Sequence, residues 1–160
     1  MANYDNPNGF RFVKSLVGGT NTPERLRYTV TTGQTIAKGD AVIAASGLVS
    51  VAASNSGTIL GVADESVTTA AAGTKIDIIP ALPWYVFEGQ CSGTYSDAVR
   101  FTTVDIEGTT GIMEINENAT TEQVARVIGE LGDPNNSIGA NSRVLFTWVR
   151  SDFDGRVAAL

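Results

Sequence analysis

The stretch KGDAVIAASGLVSVAASNSGTILGVA, residues 38–63, decides how the whole chain reads. Lys38-Gly39-Asp40 has turn chemistry: Gly39 accepts a positive φ, and Asp40 can hydrogen-bond the following backbone. AVIAAS then reads as a strand, Ser46-Gly47 before LVSVA as a tight hairpin, and GTILGVA as a further strand. Apart from Lys38 and Asp40 the stretch holds no charged side chain. Its organisation therefore specifies architecture rather than chemistry.

The same grammar extends in both directions. RLRYTVTT (25–32) alternates, with Leu26, Tyr28 and Val30 on one face and Arg25, Arg27 and Thr29 on the other. TKIDII, PWYVFEG, AVRFTTV, GIMEIN and RVLFTWV follow as short apolar or alternating runs bounded by Gly, Asn, Asp, Ser or Pro. Strands at such spacing predict an all-β fold, a small barrel or sandwich of short antiparallel strands. One segment pulls the other way. In TTEQVARVIGEL (120–131), Thr120 and Gln123 resemble a capping box, and Val124, Val127, Ile128 and Leu131 fall at helical spacing.

An internal echo argues for a strand there. Asp40-Ala41-Val42 matches Asp97-Ala98-Val99. Gly47-Leu48-Val49-Ser50-Val51 matches Gly111-Ile112-Met113-Glu114-Ile115, and Ile59-Leu60-Gly61-Val62 matches Val127-Ile128-Gly129-Glu130. The unit would be a strand, a tight hairpin, then a strand whose Gly admits close backbone approach. A two-fold internal repeat of it would close a small barrel or face two sheets together. On that basis residues 123–131 are read as a strand.

Residues 1–24 differ from the remainder, with Pro7, Pro23, Gly18-Gly19 and several Asn residues but no period. They read as an extended N-terminal arm ahead of a single β domain at 25–160. Within the arm, Phe10, Arg11, Phe12, Val13 and Lys14 form a compact apolar-basic cluster. Two readings of the two Phe residues stand: anchors on a neighbouring subunit, or side chains folded back onto the domain's own core.

Composition limits the function. The chain has 160 residues, 18% charged, with a net charge of −6. A dispersed acidic surface argues against nucleic acid and against an anionic membrane, both of which select basic faces. No window approaches the ~20 apolar residues of a spanning helix, and MANYDNPNGF lacks a signal-peptide core, so a cytoplasm-like compartment is expected. The chain contains no His, which removes Ser-His-Asp and Cys-His catalysis and His-based zinc sites. The expectation is a protein that is not an enzyme and needs no cofactor or metal. Cys91, the single cysteine, reads as a packed residue.

Other candidates are weaker. Glu114, Asn116 and Glu117, or Asp64 and Glu65, gather oxygens without the spacing of a calcium loop. Asp105 and Glu107 form an i, i+2 carboxylate pair of the kind any acidic chain contains. Trp84, Tyr85 and Phe87 could form a carbohydrate platform, or enter a core or subunit contact.

NPNGFRFVKSL at the start, KGDAVIAASGLVSVA…TILGVA…AAGTKIDI in the middle and IGANSRVLFTWV at the end resemble a family of tailed-phage capsid decoration (cement) proteins. These are small β head proteins typically encoded near the major capsid protein. Related sequences usually carry proline where this chain has Phe12, so the arm's path is less constrained here. The resemblance implies a homotrimer on the exterior of the phage head, its partner the major capsid protein. Phe10 and Phe12 would then anchor the arm, and Arg11, Lys14, Arg25 and Arg27 would meet shell carboxylates. Four of the eleven basic residues fall within residues 11–27. In the tail SDFDGRVAAL, Phe153 and Leu160 would contact a neighbouring protomer. A head-fibre or tail-associated β domain in low copy number and a carbohydrate-binding module are the alternatives.

Overall fold

The computed structural model describes residues 3–19 and 21–153. The chain folds into two antiparallel sheets packed face to face, with no α-helix among the described residues. The strands are β1 (Arg11–Ser15), β2 (Leu26–Thr29), β3 (Ala41–Ala45), β4 (Leu48–Val51), β5 (Gly61–Ala63) and β6 (Lys75–Pro80). They continue with β7 (Tyr85–Gln90), β8 (Thr103–Glu107), β9 (Glu114–Asn116), β10 (Ala125–Glu130) and β11 (Arg143–Trp148). One sheet has the order β1-β7-β11-β10-β8-β9, and the other β2-β6-β5-β3-β4.

The order contains a two-fold repeat. Removing β1 leaves β7-β11-β10-β8-β9, the same path as β2-β6-β5-β3-β4 shifted by five strands. Even the closing contact recurs. Just past β2, Val30 forms a parallel bridge to Val49, and Thr31 N–H donates to the Val49 carbonyl. Just past β7, Cys91 bridges Ile115 in the same sense, and Ser92 N–H donates to the Ile115 carbonyl. Each sheet is thus drawn inward at its ends, and the pair forms a sandwich rather than one closed barrel.

The sequence echo located the repeat with one error of register. Gly47 and Gly111 both turn their hairpins at positive φ, 78° and 82°. Gly61 and Gly129 lie in the corresponding strands β5 and β10. Asp97-Ala98-Val99, however, forms a 3-10 turn, and the true counterpart of β3 is β8, which begins at Thr103.

Two clusters fill the interior. One lies within the curl of the second sheet and contains Val30, Ile36, Val42, Val49, Leu60, Ile76 and Ile78. The other lies between the sheets around Phe87, Phe146 and Trp148, and it also takes Ala41, Val62 and Ile79 from the second sheet. Strands β3 and β5 therefore send side chains into both clusters and read as continuous apolar runs, whereas β6 gives Ile76 and Ile78 to one cluster and Ile79 to the other while Lys75 stays exposed and Asp77 half-buried. By contrast β2 keeps Arg27 exposed and turns Leu26 and Tyr28 to the cluster, matching its alternation.

The 38–63 stretch folds largely as read. Ser46 and Gly47 both take positive φ, 52° and 78°, as a two-residue hairpin requires. Asp40 departs from expectation, bonding backward and across instead of forward. Its buried carboxylate accepts from Ala37 N–H at 2.8 Å and from Gly111 N–H at 2.7 Å, linking the β3 turn to the β8–β9 turn of the other half. Burial pushes its carboxyl above the usual range, and those two N–H groups pull it back.

The arm expectation is corrected for residues 3–15. These residues are built into the sandwich, so the boundary at 24/25 is not one between arm and domain. Strand β1 pairs with β7, Arg11 opposite Glu88 and Phe12 opposite Phe87, with a bulge between Phe12 and Lys14. Phe10 is 3% exposed and packs edge-on against Phe146 and Trp148. Upstream, the Asn3 side chain bonds Ser137, Ala140 and Ser142, and Asn6 N–H donates to Gln90. Gly9 and Gly39 make the seam possible. Phe10 N–H donates to the Gly39 carbonyl at 2.7 Å, and a Cβ on Gly9 would sit 2.5 Å from that same oxygen.

Candidate interaction surface

Of the sequence-selected residues, Phe10 belongs to the core, and Phe12 is half-buried with its ring 4.9 Å from Tyr85 and 6.0 Å from Phe87. Neither projects as an anchor in this conformation; the fold-back reading of the two rings is the one observed. Phe153 is also turned inward. The segment before it bridges Ile59 through Ser151, and the Phe153 ring packs against the cluster of the second sheet. Leu160 lies outside the described residues.

Three of the four selected cations have carboxylates of their own. Arg11 meets Glu88 at 2.8 Å, Arg25 meets Asp64 at 2.5 Å, and Arg27 meets Asp77 at 3.1 Å. Glu88 is nearly fully buried and also receives Arg143 at 3.3 Å, so two guanidiniums compensate one desolvated charge. Asp64 is shared with Lys38 at 3.2 Å. The hydrogen bond and charge of Asp64 raise the already high pKa of Arg25. Of the four cations read from residues 11–27, Lys14 alone stands exposed on β1 with no ion pair among the described residues.

β1 is nevertheless an edge strand among the described residues, with β7 beside it in its sheet. At its end Leu16 and Val17 are 59% and 70% exposed. Leu16 N–H donates to the Trp84 carbonyl at 2.9 Å, which places the exposed Trp84 alongside them. Three exposed apolar residues thus stand at one end of the β1 edge, with Lys14 two residues before Leu16. Trp84 does not form a platform with its neighbours. Tyr85 is buried, its hydroxyl accepting from Glu24 N–H at 3.0 Å, and Phe87 is in the core. Successive residues at the start of β7 face opposite ways, so the carbohydrate platform read from Trp84, Tyr85 and Phe87 is not assembled.

The sequence reading passed over a second surface. Thr103 on β8, Arg126 on β10, and Gln123, Val149 and Arg150 beside them line a cleft of about 300 Å³. Arg126 lies between Thr103 and Thr147 in the sheet register. Both Arg126 and Arg150 are exposed, and neither forms an ion pair among the described residues. No sequence signal marked them, because they are 24 residues apart and each stands next to apolar strand residues.

The remaining candidates resolve simply. Cys91 is fully buried, and burial, with the charges of Glu117 and Glu114, pushes its thiol far above the usual range. Asp105 is buried and accepts backbone N–H groups of Thr121, Glu122 and Gln123 at 2.7–3.0 Å, a structural role. Glu107 accepts from Asn116. Glu114 accepts from Gln90, and burial raises its carboxyl. Among the described residues no group of three or more Cys, Asp or Glu is arranged to hold a metal ion.

Fold and surface together define an all-β, two-sheet protein with an open apolar strand edge and a separate arginine cleft. In comparison with known proteins, no family model and no curated protein matches the chain.

Proposed function

We propose that this chain is a virion structural protein that binds the exterior of a phage head and cements adjacent major capsid subunits. The resemblance of NPNGFRFVKSL and IGANSRVLFTWV to decoration proteins supports the reading from sequence. The observation that carries it in the structure is the exposed cluster of Leu16, Val17 and Trp84 at the open end of β1. Apolar side chains grouped at a strand edge favour burial against another protein. Many copies on symmetry-related sites would convert modest affinity per contact into firm attachment through avidity. Homotrimer formation belongs to the same proposal, with the shell partner being the major capsid protein.

Deleting residues 2–20 would remove β1 and Phe10 and so confound folding with binding. Paired charge insertions, Leu16→Asp with Val17→Asp, act on exposed positions and leave the core intact. Binding to heads that lack the protein is read by co-sedimentation, with copy number per capsid subunit measured by mass spectrometry. The proposal expects about one copy per capsid subunit for the wild-type chain and at least ~10-fold weaker binding for the variant, about 1.4 kcal/mol. Wild-type binding by the variant, or a handful of copies per particle, sinks it; the second result moves the chain to a fibre or tail.

A further inference from the structure

We propose that the cleft between Arg126 and Arg150 is a carboxylate-binding site that receives an Asp or Glu side chain of a partner protein. The chain carries a net charge of −6, and Arg11, Arg25, Arg27, Arg100 and Arg143 each have a carboxylate within 3.3 Å. Arg126 and Arg150 have none among the described residues, although they line one cleft. Both exposed guanidiniums border the same cleft, so an oxyanion entering it accepts hydrogen bonds from them without breaking an existing ion pair.

The lining completes the match. Thr103 adds a hydroxyl and Val149 one apolar wall, while Gln123, whose Nε2 donates to the Thr120 carbonyl, closes the rim. The backbone around the cleft is tied down: Arg126 is paired on both sides, with Thr103 and Thr147, and Asp105 accepts the N–H of Gln123, which sits at φ 54°. Phe101, 69% exposed with φ 66°, is tied to the same strand by its N–H bond to the Val127 carbonyl. An exposed aromatic beside a charged cleft suits a protein surface as partner. A nucleic-acid backbone would require a basic face, and the remaining described arginines are already neutralised by acids. A guanidinium fork fits a planar carboxylate in two parallel hydrogen bonds. The proposal rests on the shell-binding reading only for the identity of the partner.

The test uses the full chain labelled with ¹⁵N and follows arginine Nε–H resonances while glutarate is added at constant ionic strength. Arg126 and Arg150 are expected to shift together and saturate, whereas Arg27, paired with Asp77, stays in place. An Arg126→Gln, Arg150→Gln double variant with an unchanged backbone amide spectrum should bind glutarate at least ~10-fold more weakly. Equal shifts at every arginine would mean general screening and overturn the site. A stronger response to inorganic phosphate than to glutarate would overturn the carboxylate assignment. The glutarate titration contains no phage head, so its failure sinks the cleft alone. Failure of the wild-type chain to bind heads sinks the shell reading alone.

Discussion

Phe10 stands edge-on to Trp148, ring centroids 5.4 Å apart and planes at 87°, so the start of the described chain closes over its last strand. Phe146 meets both rings in similar T-shaped contacts. The Trp148 Nε1–H is buried without a hydrogen-bond partner among the described residues, and the indole packs against the rings of Phe10, Phe87 and Phe146. Removing Phe10 would open a cavity against the largest side chain in the core. Phe10→Ala is expected to cost ~3–5 kcal/mol in urea unfolding. A loss under ~1 kcal/mol would show that residues 3–15 are an appendage after all.

The two glycines of the repeat should behave differently. A Cβ on Gly61 would collide with the Ile79 carbonyl oxygen and approach Ile78 Cδ1 at 3.0 Å. On Gly129 it would meet only Arg100 Nε, at an ordinary 3.5 Å. Gly61→Ala is expected to lose ~2–3 kcal/mol through overpacking, while Gly129→Ala stays within ~0.5 kcal/mol of wild type. Paired denaturation curves check the contrast, and equal losses would refute it.

Asp64 should give stability a measurable acid dependence. Burial opposes its ionisation, but hydrogen bonds and charge from Arg25 and Lys38 outweigh that and hold its pKa below the usual 3.8. A carboxyl depressed on folding contributes stability above its unfolded pKa, and that contribution is lost as pH falls through the folded value. Because the pair is partly exposed, Asp64→Asn is expected to cost only ~0.5–1 kcal/mol at pH 7. The gap between variant and wild type should close as pH drops below 3.8. A gap that persists unchanged in acid would assign the effect to packing.

Cys91 should be inert in the folded protein. Its side chain is fully buried and its thiol is held protonated, so the reactive thiolate is scarce. A thiol reagent such as 5,5′-dithiobis(2-nitrobenzoic acid) is expected to label it only after denaturant is added. Rapid labelling of the native chain would place it in an accessible site instead.

The segment 120–131 shows where local pattern stops being enough. Its apolar spacing and Thr120–Gln123 pair suit a helix start, and Gln123 Nε2 does donate to the Thr120 carbonyl. Asp105, fifteen or more residues earlier, captures the N–H groups of Thr121, Glu122 and Gln123. Gln123 then takes φ 54°, which a helix cannot continue, and Ala125–Glu130 enters the sheet between β8 and β11. The internal echo gave the right answer because strand order repeats; periodicity, a purely local signal, did not.

What the sequence determined by itself was the class of fold and most of its strands. Turn residues such as Ser46-Gly47 and the alternation of Leu26, Tyr28 and Val30 act through nearest neighbours, so they are legible without contacts. The tertiary structure alone decided where charge and apolar surface finally lie. Phe10 looked like an anchor until Trp148 and Phe146 covered it, and Arg11 and Arg25 looked available until Glu88 and Asp64 took them. Arg126 and Arg150 share a cleft only because the sheet brings β10 beside the end of β11. Pairing across 39 or 77 residues depends on which strands become neighbours, and that is a property of the closed fold rather than of any window of sequence.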